Sequence, residues 1–187
     1  FDSYDKDTFL KKWEPSVEDK VELVGGTDRN HYAKILSAER NSEVESSVSR
    51  VFENGITANT FVVEAAVRTT GEFGVAFINA DGVKTNIFGV QIDGKIGCYT
   101  ELEGRMSAPY SDLKLTNSNE FEKIKLLVDR TNKKFTVTTT SKSYNFDYRY
   151  QIEDICGIEI TAKNATGCEI CIDDVYIKKP GTEEVYA

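Results

Sequence analysis

Asp173 and Asp174 are adjacent carboxylates inside an otherwise apolar run near the end of the chain, Glu169-Ile170-Cys171-Ile172-Asp173-Asp174-Val175-Tyr176-Ile177. In an extended strand side chains alternate between faces. Ile170, Ile172, Asp174 and Tyr176 would then share one face, and Cys171, Asp173, Val175 and Ile177 the other. Whichever face is buried receives a carboxylate, which is costly unless it is paired or bound to a cation. Ca2+ takes roughly six to eight oxygen ligands, and acidic side chains with loop carbonyls are their usual source. A solvated Asp on one face and a lysine-paired or hydrogen-bonded Asp on the other is the plainer use of the same pair.

A second chemistry is sugar stacking. A saccharide site needs exposed aromatic faces flanked by polar groups that hydrogen-bond hydroxyls. Segment 144–150 reads Tyr-Asn-Phe-Asp-Tyr-Arg-Tyr, so Tyr144, Phe146, Tyr148 and Tyr150 fall on one face. The same rings could instead roof the core. Tyr99, Arg105 and Tyr110 lie on or beside a glycine-containing stretch, 98–109, that could line a binding face or loop edge. Trp13 reads as a core plug, His31-Tyr32 with Arg29 as a lesser binding candidate, and His31 by itself as an exposed loop residue.

Catalysis has little to build on. A glycosidase needs two carboxylates at a set separation, and the acids here form no such signature. With one histidine, any Ser-His-Asp, Cys-His or Tyr/His site would have to use His31. No Gly-rich phosphate loop opens a helix. The residues point to a protein that makes and breaks no bonds. Cys98, Cys156, Cys168 and Cys171 contain one CxxC spacing, whose members would face opposite sides of a strand. They are expected as core or free thiols, with one long-range bridge such as Cys98 to Cys156 as the alternative. Zinc would need more ligands than these.

The elements that would position these residues are strands. Two-residue periodicity dominates 60–68, 73–78, 86–92, 95–99, 122–128, 134–140, 155–161 and 169–177. Asp81-Gly82, Asp93-Gly94 and the polar stretch around Asn132 are hairpin turns. One short helical turn, 5–13, is the most helix the pattern allows. The expected fold is all-β: a two-sheet antiparallel sandwich of the jelly-roll kind with little helix. At 187 residues the chain fits one domain, taken as 1–179 with 180–187 as a polar tail or linker.

The net charge is −8. That argues against nucleic acid or an anionic membrane as partner, and against strongly anionic polysaccharides unless a local basic groove exists. No run approaches 18 apolar residues. The opening Phe1-Asp2-Ser3, without Met, reads as a module of a longer polypeptide.

The order of features resembles a known group. Phe1-Asp2-Ser3-Tyr4 and Trp13 come first, then segments 32–36, 47–52 and 61–67, and then Asp93-Gly94-Lys95-Ile96. Segment 121–129 leads into Lys133-Lys134-Phe135-Thr136-Val137, and Ile172-Asp173-Asp174-Val175 closes the series. This is similar to the jelly-roll accessory modules of bacterial polysaccharide-degrading proteins, the concanavalin-like or laminin-G-like domains and the carbohydrate-binding modules. Many of those carry Trp where this chain has Phe121. The catalytic Glu-x-Asp-x-x-Glu run of jelly-roll glucanases is absent. The resemblance implies a polysaccharide or oligosaccharide ligand, contacts with other domains of the same polypeptide, and a secreted or cell-surface setting. It also implies structural Ca2+ held by an Asp of the last strand and an acidic residue near the start. Here those are Asp173 or Asp174 with Asp2, aided by carbonyls of the 39–49 loop.

Overall fold

The computed structural model describes residues 12–25, 31–37, 45–116, 119–140, 142–163 and 168–187. Fourteen strands, numbered along the chain, form two antiparallel seven-stranded sheets among these residues. The first sheet runs in the order β1 (Glu14–Pro15), β4 (Ser46–Ile56), β13 (Ile155–Ala162), β6 (Phe73–Ile78), β7 (Lys84–Val90), β8 (Ile96–Tyr99) and β9 (Met106–Ser107). The second runs β12 (Ser143–Asp147), β11 (Lys134–Thr138), β10 (Glu122–Asp129), β5 (Thr60–Thr69), β14 (Glu169–Lys178), β3 (His31–Leu36) and β2 (Val21–Gly25). A 3-10 turn, Glu18–Lys20, precedes β2. No helix among the described residues is long and apolar enough to cross a membrane.

Strand alternation builds the core. Phe61, Val63, Ala65 and Val67 of β5, with Ile124, Leu126 and Val128 of β10, meet Ile158 and Ile160 of β13 and Phe73, Val75 and Phe77 of β6. Each large apolar side chain so buried contributes roughly 1.5–3 kcal/mol. Trp13 is among the largest fully buried side chains, as a plug of the core should be. Gly82 and Gly94 take positive φ of 78° and 81° at the two Asp-Gly turns. The third hairpin places Lys133, not Asn132, in the left-handed region, while Asp129 accepts the Asn132 backbone N–H at 2.9 Å.

The last strand departs from simple alternation. Asp173 lies opposite Ala66 and Tyr176 opposite Glu64, so three steps on β14 match two on β5. That extra residue is a β-bulge, with Asp174 at φ 50°. Asp173 and Tyr176 therefore share the outer face, while Ile170, Ile172 and Ile177 are buried. The even division of this segment expected from sequence holds only up to Asp173. Residues 180–187, expected as a tail or linker, are tied back. The Ile177 N–H donates to the Ala187 carbonyl (2.7 Å), the Tyr186 N–H to the Ile177 carbonyl (2.6 Å), and Lys178 bridges Val185. They cover β14 beyond the point where its pairing with β3 ends at Ile172.

All four cysteines are free thiols, and the alternative Cys98–Cys156 bridge does not form. Burial pushes the Cys168 thiol up to about 11 and Cys98 higher still.

Candidate functional site

The structure divides the six sequence-predicted binding residues into three groups. Tyr148 and Tyr150 are 3% and 7% exposed and offer no ring face to a ligand. Tyr148 stacks on Phe135 (4.3 Å between centroids), and the Tyr150 hydroxyl donates to the Tyr99 carbonyl at 2.8 Å. Burial pushes the Tyr148 phenol up to about 12 and Tyr150 further. These two rings roof the core, although β12 has already ended at Asp147. Tyr110 and Tyr144 form a second group, stacked at 4.0 Å beside Phe146. The Tyr144 hydroxyl donates to the Asp112 carboxylate (2.6 and 2.7 Å), which also pairs with Lys142 at 3.1 Å. Tyr99 is half-buried on the outer face of the first sheet, opposite Met106 in the ladder and near exposed Arg105.

That outer face has a floor of small residues. One cross-strand row reads Ser47, Thr161, Gly74, Gly89 and Gly97 over five strands. A side chain at Gly89 or Gly97 would meet Met106, and one at Gly74 the stem of Lys163. In the next row Glu159, 9% exposed, accepts from Ser47 Oγ (3.1 Å) and pairs with Lys84 (2.5 Å).

The best-built polar site lies on the second sheet, and sequence reasoning missed its centre, Arg68. Register places Arg68 of β5 opposite Cys171 of β14, which faces Lys34 of β3. All three point away from the core, because their neighbours Val67, Ile172 and Ala33 point into it. The Arg68 guanidinium sits over the rings of Tyr32 (5.4 Å) and Phe121 (5.3 Å), which meet edge to face at 5.3 Å. It donates to the Tyr32 hydroxyl (3.4 Å) and the Cys171 sulfur (3.2 Å), and Glu169 lies 4.0 Å away. Glu169 pairs with Lys34 (3.4 Å), and Lys34 with Glu22 (3.0 Å). Burial pushes the Cys171 thiol up, against the opposing pull of Arg68. His31, expected as an exposed loop residue, is the first residue of β3.

This cluster opens onto a cleft of about 220 Å³ lined by Arg68, Thr69, Thr70, Asn119 and Glu169. A neighbouring cleft of about 400 Å³ shares Thr69 and Thr70 and reaches Gln91 and Ile92. Phe121 is 38% exposed beside Arg68, and exposed Ile92 lines the neighbouring cleft, so donors, acceptors and apolar faces lie near one another. The arrangement suits an uncharged polyhydroxylated ligand. Partners drawn from β3, β5, β14 and residue 121 leave no local sequence signal. The one hint is Phe121, at a position where many of the modules resembled above carry Trp.

Of the three metal-site residues expected from sequence, Asp2 lies outside the described residues. Asp173 Oδ1 accepts the Asp174 backbone N–H at 2.8 Å, and burial lifts the Asp173 carboxyl above its ordinary range. Among the described residues no group of three or more His, Cys, Asp or Glu lies together as a metal site. Two carboxylates alone fall short of the oxygen set Ca2+ takes.

No protein-family model matches the chain, and no curated protein matches it in sequence. Solved structures do share its fold. It is similar to part of a sialidase (TM-score 0.71, 10% identity), covering 97% of this chain and 18% of that one. The chain thus spans under a fifth of that protein. It is similar throughout to a cellulose induced protein, Cip1 (TM-score 0.66, 12% identity, 90% and 91% covered). A Bacillus licheniformis beta-glucanase matches at TM-score 0.57 and 9% identity (90% and 92% covered). At these identities the likeness is one of architecture: the chain is a jelly-roll β-sandwich.

Proposed function

We propose that this chain is a non-catalytic carbohydrate-binding module of a larger secreted or cell-surface protein, and that a sugar ring docks on Phe121 with its hydroxyls on Arg68, Glu169 and Thr70. The observation that carries this is the Arg68 guanidinium, fixed between two aromatic rings at the mouth of a cleft. A donor already held in place loses little conformational freedom on binding. The fold supports the reading, since structures with this architecture include proteins named for cellulose and glucan. Tyr99 with Arg105, and Tyr110 with Tyr144, are secondary candidates for extended chains. A structural Ca2+ at Asp173 and Asp174 belongs to the same proposal. Both residues lie side by side and half-buried on β14.

One observation favours hydrolysis instead. Glu14, Ser49 and Glu159 lie in one cross-strand row, which puts two glutamates on one face two strand spacings apart, about 10 Å at Cα. Glu159, however, is held by Lys84 and Ser47 rather than turned toward open space.

Affinity electrophoresis against neutral polysaccharides tests the proposal. Retardation by one glycan, weakened about tenfold in Arg68→Met and in Phe121→Ala, is the expected outcome. No retardation across the panel, or retardation untouched by both substitutions, would overturn it. Release of reducing ends that stops in Glu159→Gln would establish the hydrolase.

A further inference from the structure

β4 carries an arginine whose hydrogen-bonding groups the fold leaves unpaired. β1 pairs with β4 only at Val48 and Ser49, so from Arg50 onward this edge of β4 has no neighbouring strand among the described residues. Arg50 lies opposite buried Ile158, in a row that looks inward. Its guanidinium sits 5.9 Å from the centre of the Trp13 ring, and that cation–π contact is its one interaction among the described residues. Trp13 is itself 2% exposed, a fixed support for the group above it. A half-buried guanidinium with five N–H donors and no acceptor is unfavourable unless something outside the fold meets it.

The strand beyond Arg50 is reshaped. β4 takes five steps from Val51 to Ile56 where β13 takes two from Gly157 to Ile155. This large bulge carries Glu53 and Asn54 out of the ladder, and both are exposed. Beside it lies a hollow of about 560 Å³, larger than either cleft near Arg68. Arg50, Ser49, Glu14, Glu53, Asn54 and Tyr186 line it. Among the described residues the side chains of Glu14, Glu53 and Asn54 have no partner. Tyr186 is 37% exposed, with Lys179 over its ring at 5.8 Å. Lys12 also reaches the lining, so two cations and two carboxylates balance there. Ile177, whose backbone holds Tyr186 and Ala187, pairs with Val63 of β5. Val63 precedes Arg68 by five residues, about 17 Å of strand, so the hollow and the Arg68 cleft are separate.

We propose that this hollow is a second saccharide site, which takes an uncharged sugar residue with two neighbouring hydroxyls on Arg50. A hydroxyl both donates and accepts. The guanidinium N–H groups meet the hydroxyl oxygens, and Glu14, Glu53 or the Asn54 side-chain carbonyl accepts from the hydroxyl protons. Trp13 keeps the guanidinium in place, so little freedom is lost on binding. Tyr186 supplies an aromatic flank. Two sites on one module hold a single chain at two points, which raises avidity over either site alone. The proposal rests on the glycan reading of the module but on none of the residues of the Arg68 cleft.

The test is calorimetry with neutral hexasaccharides of the glucan, xylan, mannan and galactan types, on wild type, Arg68→Met and Arg50→Met. A hexasaccharide that binds should occupy two sites per wild-type chain and one in either variant. Arg50→Met keeps an aliphatic cover over Trp13 and should weaken its own site about tenfold or more. Asn54→Ala, exposed on the bulge, serves if that variant unfolds, and should weaken the same site several-fold. Binding that depends on Arg68 alone and ignores both Arg50→Met and Asn54→Ala would overturn this proposal and leave the Arg68 cleft standing. Binding that survives Arg68→Met and fails in Arg50→Met would support this site and count against the cleft. No binding by any of the four would overturn both.

Discussion

The outward faces of the two sheets are made of opposite material. On the first, the central row is Ser47, Thr161 and three glycines, and the backbones and Met106 come close over it. On the second, lysines, Arg68, Glu64 and Glu169 stand out from the strands and pair across them. The difference separates two kinds of constraint. The first face is limited by space, where one added carbon is felt by main chain. The second is limited by charge balance, where residues can be exchanged singly and the cost depends on pH.

The largest expected effect tests the spatial half. A Cβ at Gly89 would lie 2.3 Å from the Phe73 carbonyl oxygen and 3.2 Å from the Gly74 Cα. Gly89→Leu should therefore cost about 3 kcal/mol, read from the urea midpoint. A Cβ at Gly74 meets only Lys163 Cε, at 3.6 Å, so Gly74→Ala should stay within about 0.5 kcal/mol. Equal effects at the two glycines would show that the row is not close-packed at Gly89.

Next comes the charge half. Glu64→Gln leaves Lys123, Lys125 and Lys178 without their shared anion and should cost about 2 kcal/mol at pH 7, less than a fully buried pair because the lysines reach solvent. Because the folded state depresses the Glu64 carboxyl, its contribution is present above the unfolded value and fades as pH falls through the folded one. Wild type and variant should converge only in acid, once pH has fallen below that depressed folded value. A gap that persists in acid would mean that packing, not charge, sets the cost.

Asp173 has the opposite sign and a smaller effect. Its carboxyl is raised by burial, so stability starts to fall as pH rises above the unfolded value and the loss is complete above the folded one. In chelator, Asp173→Asn should stabilise by up to about 1 kcal/mol at pH 7. If Ca2+ binds here, calcium should raise the wild-type unfolding temperature and leave the variant unmoved. A wild-type midpoint indifferent to calcium and chelator would remove the metal from the proposal.

How much of this was legible in the sequence follows the range of the interactions. Segment 134–140 announced β11, and 122–128 announced β10, because alternation is a local signal. The Asp-Gly turns were legible for the same reason. The bulge at Asp173 was not, since one inserted residue changes the facing of all that follows without altering composition. Tyr148 and Tyr150 shared a face with Tyr144 in the sequence, but whether that face looked inward needed the second sheet. Arg68 was silent because Tyr32, Phe121 and Cys171 reach it from segments scattered along the chain.

The sheet order also constrains how fast this sandwich can form. β4 finds its partner in β13, with Ser49 opposite Glu159, and β5 finds one in β14, with Val67 opposite Ile172. Strands from the first two-fifths of the chain therefore wait, with unpaired edges, for strands from its last fifth. Such separations place a domain among the slow two-state folders, in the range of milliseconds to seconds. During synthesis the ribosome must deliver β13 before the first sheet can close and β14 before the second. Until then the apolar strand β5 is the segment most exposed to wrong partners.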